Sequence, residues 1–567
     1  MEKQINKKQT FMAGVLTIAI AQILIKILGL IYRLVITNIP YFGDEGNGLY
    51  GAGFQIYVLI LSIATTGIPG AIAKLVSEKR ALGKPREAHQ IFRVAFALFA
   101  VIGFMGSLIL FANAKYIATT LIGNSQVEGV LVALSPSIFF VAISAVIRGY
   151  FNGMYNMKAS SNSQVIEQIF KSLLTIVIVL SLYFMLPQVG KLANIFNVTE
   201  ESVTSVMAAG ANLASTIAAA IGFIYLYIFY TRRKKEIWKD IANAKEDYHK
   251  ENVKKVMKTI LCLSIPMSLA SIVSALNRNV DTFTVIRGLK IALETSSLTA
   301  EQISAEATRL YGILSGKVDM LIGLPLSLNI AFATALVPAV SEALAIGEKD
   351  RAVKRISFSL RTSMLIALPC AVGLCVLAEP ILKLLFPGAY APEATLLLQI
   401  SAFTIVFSVL NQTINGALQG IGKVFVPALT LAAGATLKLI LNLVLIPISS
   451  IGVNGAAIGS VSCHLIATII GYSVLRKKVK LELTKENFLI KPVLAIVLMA
   501  ISAIVAEKVL PYIIGSSKIV TILSILVAVI VYLLSLILMK IFREEDYQML
   551  PYGTKIYKFF QKVKLVK

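Results

Sequence analysis

The stretch RGYFNGMYNMKASSNSQVIEQIFKSLL, residues 148–174, overlays NGALQGIGKVFVPALTLAAGATLKLIL, residues 415–441, at a constant offset of 267. The overlay pairs Gly149 with Gly416, Gly153 with Gly420 and Lys171 with Lys438. Pro69 in GIPGAIA and Pro338 in LVPAVSEA pair at a similar offset. A repeat of this length predicts that six helices form one lobe and the next six a second. An even number of spans per unit makes the copies parallel, related by an axis along the membrane normal.

The surrounding chain has the composition this requires. Of 567 residues, 57% are hydrophobic and 15% charged, where soluble domains carry about 25% charged residues; the mean hydropathy is +0.79. Apolar runs of about 20 residues, long enough to cross a bilayer, recur along almost the whole length and leave no room for a sizeable soluble domain. They predict spans at 11–37, 48–73, 88–112, 128–151, 159–186, 203–230, 256–288, 310–342, 357–379, 393–419, 424–447, 452–475, 489–511 and 518–541. The expected fold is an all-α polytopic membrane protein of fourteen transmembrane helices, two six-helix lobes in parallel pseudo-repeat plus two C-terminal helices. The first run is too long for the apolar region of a cleaved signal peptide and reads as a retained span.

The net charge of +24 raises the question of nucleic acid, and its distribution answers it. Most cations fall in alternate connecting segments: 74–86, 231–258, 348–355, 476–491 and the two termini. That is the positive-inside pattern of a membrane protein, not a nucleic-acid stripe, and it predicts the cytoplasmic membrane with both termini cytoplasmic. The predicted organisation is an N-terminal lobe over 1–230, a basic cytoplasmic linker over 231–255, a C-terminal lobe over 256–475, and helices thirteen and fourteen with an amphipathic basic tail over 476–567. Trp238 among lysines suits either a helix lying at the inner interface or a solvated basic loop. In the tail, Ile556, Phe559, Phe560 and Val563 at helical spacing carry the same two readings.

Ionisable residues inside spans are the candidate functional residues, because each costs about 2.5–3.5 kcal/mol at mid-membrane and normally faces a bundle interior or watery cavity. In LIKILGLIYRLVI, residues 24–36, Lys26 lies near mid-membrane and Arg33 seven residues further out. Seven residues fall about 20° short of two turns, so both point the same way, about 10 Å apart. Arg33 is also close enough to the span end to snorkel. Lys317 and Asp319, two residues apart, point in different directions, which leaves Lys317 as a third cavity cation. Arg278 and Asp281, three apart, form either a self-neutralising ion pair or part of a substrate site. Asp319, Arg148, Lys171 and Lys438 complete the set, with Glu167 four residues before Lys171 as its partner. Arg93 and Arg361 read as snorkelling residues at span starts. Deep cations outnumber deep acids, so a cavity between the lobes would accept an anionic group such as a pyrophosphate.

Enzyme chemistry finds little support. His89 and His249 are expected in cytoplasmic loops and His464 in helix twelve, no outward loop is long enough for a catalytic domain, and no GxxxxGK[ST] motif is present. Cys262, Cys370, Cys375 and Cys463 lie in apolar runs without metal-ligand spacing and read as small core residues.

Several blocks carry a family resemblance: KILGLIYR followed by YFG, PSIFFVAISAVIRGYFNGMYNMKASSNSQVIEQIFK, IVSALNRNVD, and GLPLSLNIAFATALVPAVSEA. Together they resemble the multidrug/oligosaccharidyl-lipid/polysaccharide exporter superfamily, and within it the MurJ-like lipid II flippases and the stage V sporulation protein B group. The resemblance implies two six-helix lobes, two additional C-terminal helices, and flipping of undecaprenyl-pyrophosphate-linked peptidoglycan precursor by alternating access. It implies no cofactor, and coupling to Na+, H+ or the membrane potential. The implied partners are a polyprenyl-pyrophosphate-linked glycan, membrane lipids and cell-wall synthesis proteins. Cavity cations on helices one and eight correspond to Lys26, Arg33 and Lys317. Arg33 lies one residue further from Gly29 than the family pattern, Lys317 about one turn further from Pro325, and LSIATTGIPG carries no helix-two arginine. A flippase for another polyprenyl-linked unit (capsule, exopolysaccharide or spore cortex) and a cation-coupled multidrug exporter are the alternatives.

Overall fold

The computed structural model describes residues 24–65, 67–185, 203–243, 252–481, 483–484, 486–539 and 541. It is 88% helical, with no strand among the described residues. Twelve helices among them are long and apolar enough to cross a membrane, and each corresponds to one of the fourteen expected spans. Of the other two, the first is described only from residue 24 and is helical over 24–37, and the seventh is the helix Val253–Leu293. The chain is an all-α, multi-pass membrane protein. The basic tail with Ile556, Phe559, Phe560 and Val563, and also His249, lie outside the described residues.

The chain divides into two compact units, residues 1–316 with 447–450 and residues 317–446 with 451–567. The first contains α1 (24–37), α2 (Gly43–Thr65), α3 (Ile68–Ala81), α4 (Pro85–Ala112), α5 (Glu128–Gly153), α6 (Met157–Met185), α7 (Val203–Asn243), α8 (Val253–Leu293) and α9 (Ala300–Gly312). Helices α2 and α3 together cover one expected span. Pro69 has no N–H for a continuous ladder, and the Gly67 N–H donates instead to Ser268 Oγ of α8 at 2.8 Å.

Helix α7 corrects the reading of the basic linker. It continues unbroken through Arg232, Arg233, Lys234, Lys235 and Trp238 for 41 residues, about 60 Å at 1.5 Å per residue, twice the hydrocarbon thickness. The first half of the expected linker is therefore neither a loop nor a separate surface helix but the extension of a span. Arg80 at the end of α3 holds this extension through Asp240 at 3.1 Å. His89 is corrected likewise. It sits at the start of the second turn of α4, buried, with Nδ1 3.4 Å from the Tyr150 hydroxyl and its ring edge-on to Trp238.

The second unit contains α10 (Asp319–Ala345), α11 (Lys349–Val376), α12 (Ala378–Leu385), α13 (Glu393–Gly420), α14 (Val426–Leu445), α15 (Asn454–Lys478), α16 (Lys491–Val509) and α17 (Ser517–Leu538). Pro369 inside α11 cannot donate to the carbonyl four residues earlier, that of Leu365. The buried Tyr532 hydroxyl of α17 fills the gap, donating to Leu365 O at 2.8 Å. A backbone defect in one span thus becomes the attachment point of the last.

The glycine repeat is realised as a close helix seam in each unit. A methyl carbon at Gly149 of α5 would meet the Pro69 carbonyl at 2.9 Å, and one at Gly153 would meet Ala73 O and Val76 Cβ at 2.8 Å. In the second unit, Gly416 of α13 would meet Ala333 O at 2.5 Å, and Gly420 would meet Val340 Cβ at 2.8 Å and Val337 O at 3.2 Å. Small residues four apart allow two backbones to touch in a lipid environment. The partners run from 69 to 333, 73 to 337 and 76 to 340, a constant displacement of 264, while the glycines are displaced by 267. Pro69 therefore corresponds in space to Ala333 and not to Pro338.

Candidate functional site

In the first unit, three helices bring aromatic rings and two cations together. Helix α2 presents Tyr50, Phe54 and Tyr57 at spacings of four and three, one face of a helix. Tyr50 and Phe54 stack at 5.8 Å, and Phe54 and Tyr57 lie at 5.6 Å. Against this stripe α1 sets Tyr32 and Arg33. The Tyr32 and Tyr50 hydroxyls are 3.2 Å apart, and the Arg33 guanidinium carbon lies 4.7 Å from the Tyr50 ring centre. Helix α6 supplies Lys171, whose Nζ is 4.1 Å from the centre of the Phe54 ring. A second contact fixes α1 on α6, where Ser172 Oγ donates to Leu28 O at 3.4 Å.

The expected pairing of Glu167 with Lys171 is not what forms. Glu167 accepts from Arg148 of α5 at 2.8 Å, and Arg148 also donates through Nε to Ser163 Oγ at 2.9 Å. Gly222 of α7 leaves room for this carboxylate, since a methyl carbon there would lie 3.2 Å from Glu167 Oε2. Arg148 and Glu167 neutralise each other, and Lys171 is left among rings.

The balance in this cluster is electrostatic. Each cation–ring contact contributes about 0.5–2 kcal/mol, less than the roughly 2.5–3.5 kcal/mol that a cation costs at mid-membrane. Arg33 Nη1 is buried without a hydrogen-bond partner among the described residues, and neither Arg33 nor Lys171 has a carboxylate partner among them. The cluster carries two positive charges that its own groups do not cancel, beside phenol hydroxyls able to donate. An anion with several oxygens would complete it.

The other candidates stand apart. Lys26 is exposed on α1 and has no hydrogen bond or ion pair among the described residues. Arg278 of α8 is exposed and donates to Ser274 Oγ at 3.1 Å, while Asp281 is half-buried. Lys317 belongs to the second unit, in the π-helical turn Ile313–Val318. It is fully buried, donates to the Ala389 carbonyl and lies 5.3 Å from the Phe386 ring centre. Asp319 next to it is exposed, so the two point apart as their spacing predicts. Lys438 is buried in α14 with its stem 3.3 Å from the Cβ position of Gly459 in α15. Lys171 and Lys438, matched by the repeat, thus have different surroundings. Tyr32, Tyr50, Phe54 and Tyr57 escaped the sequence reading. The signal was the i, i+4, i+7 aromatic stripe of α2, which in an apolar span reads as ordinary core.

Comparison with known proteins adds an independent line. The family model described as polysaccharide biosynthesis protein matches residues 11–344, and the MatE model matches residues 302–444. The chain is 24% identical to stage V sporulation protein B of Bacillus subtilis (strain 168), over 96% of this chain and 98% of that protein. It is 26% identical to the lipid II flippase MurJ of the same organism, over 88% of each. Among solved structures, the lipid II flippase MurJ in an inward closed conformation superposes with a TM-score of 0.63 at 17% identity, covering 92% of this chain and 98% of that one. An inward-facing multidrug resistance MATE family transporter of the MOP superfamily gives 0.61 at 14% identity, covering 82% and 98%. At these identities the superpositions bear on the fold.

Proposed function

Because the chain belongs to the polysaccharide biosynthesis protein family, we propose that it flips a lipid-linked glycan across the cytoplasmic membrane by alternating access, with an undecaprenyl-pyrophosphate-linked peptidoglycan precursor as the substrate. The observation that carries this reading is the Arg33–Lys171 cluster, with two cations uncancelled and a buried guanidinium nitrogen without a partner among the described residues. A pyrophosphate supplies the missing oxygens: Arg33 takes one through its open N–H, and Lys171 exchanges ring contacts for a charge-assisted bond. Tyr32 and Tyr50 donate to a further oxygen. Lys26, on the same helix seven residues earlier, meets the headgroup on its way in or out. Lys317, with a carbonyl and a ring already on its ammonium, holds the 386–389 segment.

Binding the anion compensates positive charge in the membrane interior, so an occupied site can change its accessibility at lower cost than an empty one. Coupling to Na+, H+ or the membrane potential belongs to the same proposal. The full-length relationship to stage V sporulation protein B favours one second reading, a related polyprenyl-linked unit made during sporulation. The test is depletion of the native protein followed by measurement of lipid-linked precursors on each leaflet. Inner-leaflet accumulation of lipid II supports the first reading, and accumulation of another polyprenyl-pyrophosphate glycan with lipid II unchanged supports the second.

A further inference from the structure

Apart from the cation cluster, the first unit holds a half-open cavity of about 880 Å³ between the start of α4, the extended end of α7 and the start of α8. Its chemistry changes along its length. On α4 it begins with Arg86, Gln90 and Arg93 and continues with Val94, Ala97, Leu98 and Val101. Residues 86, 90, 93, 97 and 101 follow one helical face, and 86 to 101 span about 22 Å. The first half of that face is cationic and the second half is bare hydrocarbon. Opposite stand Trp238 and Ile241 of α7 and Met257 of α8.

Both arginines are exposed, and Arg93 has no carboxylate partner among the described residues. Lys234 adds positive charge close enough to act on the neighbouring His89. The acid at this end of α4, Glu87, is buried and taken by Lys79 and Lys84, and Asp240 is held by Arg80. A tryptophan at the mouth of an apolar trough with cations above it is an arrangement suited to the membrane–water boundary.

We infer that this cavity is a binding site for a resident phospholipid with an anionic headgroup, drawn from the leaflet that the charge asymmetry assigns to the cytoplasm. The phosphate lies at Arg86 and Arg93, and one acyl chain runs along Val94, Ala97, Leu98 and Val101. Basic pockets between spans on this side of a membrane select anionic lipids, each cation contributing about fivefold. The site is separate from the Arg33–Lys171 cluster in the residues it uses and does not depend on the glycan carried.

The chain has one tryptophan, Trp238, and it lines the cavity, which makes it a built-in reporter. The full-length protein is reconstituted in phosphatidylcholine vesicles containing increasing fractions of either dibrominated phosphatidylglycerol or dibrominated phosphatidylcholine, and Trp238 emission is followed. The brominated anionic lipid should quench at a mole fraction at least about fivefold lower. The preference should disappear in Arg86→Gln/Arg93→Gln and persist in Arg86→Lys/Arg93→Lys, which checks that the exposed substitutions leave the fold intact. Equal quenching by the two lipids in the native protein, or a preference unchanged in the glutamine variant, overturns the proposal.

Discussion

Arg33 of α1 and Tyr50 of α2 meet with the guanidinium 4.7 Å from the ring centre, and one guanidinium nitrogen is buried without a hydrogen-bond partner among the described residues. A ring face offers a cation about 0.5–2 kcal/mol, whereas each hydrogen bond between charged groups contributes about 1.5–3 kcal/mol, and a guanidinium can make two to one anion. On the proposed function the contact would be a resting place for Arg33 in the absence of an anion, and Lys171, 4.1 Å from the Phe54 ring centre, would be a second of the same kind.

Replacing either cation should remove transport without unfolding the chain. Arg33→Gln and Lys171→Gln each delete one partner of a charge-assisted bond, a loss of about 2 kcal/mol or more and thus about thirtyfold or more in affinity for the anion. Membrane insertion and thermal stability should hold or improve, since a membrane cation has been removed. Precursor binding and melting temperature, measured on the same preparation, check both halves.

The ion pair behind the cluster should behave in the opposite way. Arg148 and Glu167 are bonded at 2.8 Å, with side chains 11% and 28% exposed. Glu167→Gln leaves Arg148 uncompensated and should cost about 3–5 kcal/mol. Replacing both with apolar residues, as in Arg148→Met/Glu167→Leu, should cost much less. Melting temperatures of the single and double variants decide this.

Tyr532 and Pro369 should be coupled energetically. Tyr532→Phe orphans the Leu365 carbonyl and should cost about 1–3 kcal/mol. In Pro369→Ala the new N–H can take that carbonyl, so adding Tyr532→Phe to it should cost less than Tyr532→Phe alone. A double-mutant cycle in thermal stability, with a non-zero interaction term expected, checks this.

The glycine seam makes a prediction with two signs. Gly→Ala in a helix interior normally gains about 1 kcal/mol. At Gly416 the new carbon would stand 2.5 Å from a backbone carbonyl, so overpacking of about 1–3 kcal/mol should prevail and the variant should melt lower. At Gly323 of α10 nothing lies within 4 Å of the new carbon, and Gly323→Ala should melt at the same temperature or higher.

Much of the fold was legible because apolar runs of bilayer length have few alternatives to a helix. The charges of the 231–243 segment suit a loop as well as the continuation of the span, and α7 takes the second form. The repeat identified which glycines touch a neighbour. It did not give the register, because the partner helices are displaced by 264 residues and the glycines by 267.

For the site, Arg33 and Lys171 were visible as cations in apolar spans, yet their assembly was not. It depends on Tyr50 and Phe54, whose spacing cannot be told from that of core aromatics. Lys317 shows the converse limit. Its partner carbonyl is 72 residues away in sequence, and nothing near Lys317 announces it.

On the proposed function the Arg33–Lys171 cluster holds the anion of a lipid-linked glycan during flipping. The direct measurement is the rate at which fluorescent lipid II, placed in one leaflet of vesicles containing the purified chain, becomes accessible in the other, with and without an ion gradient. Protein-dependent flipping should fall at least about tenfold in Arg33→Gln and Lys171→Gln and be retained in Tyr532→Phe at temperatures where that variant stays folded. Flipping at the native rate in the Arg33→Gln/Lys171→Gln double variant would contradict it.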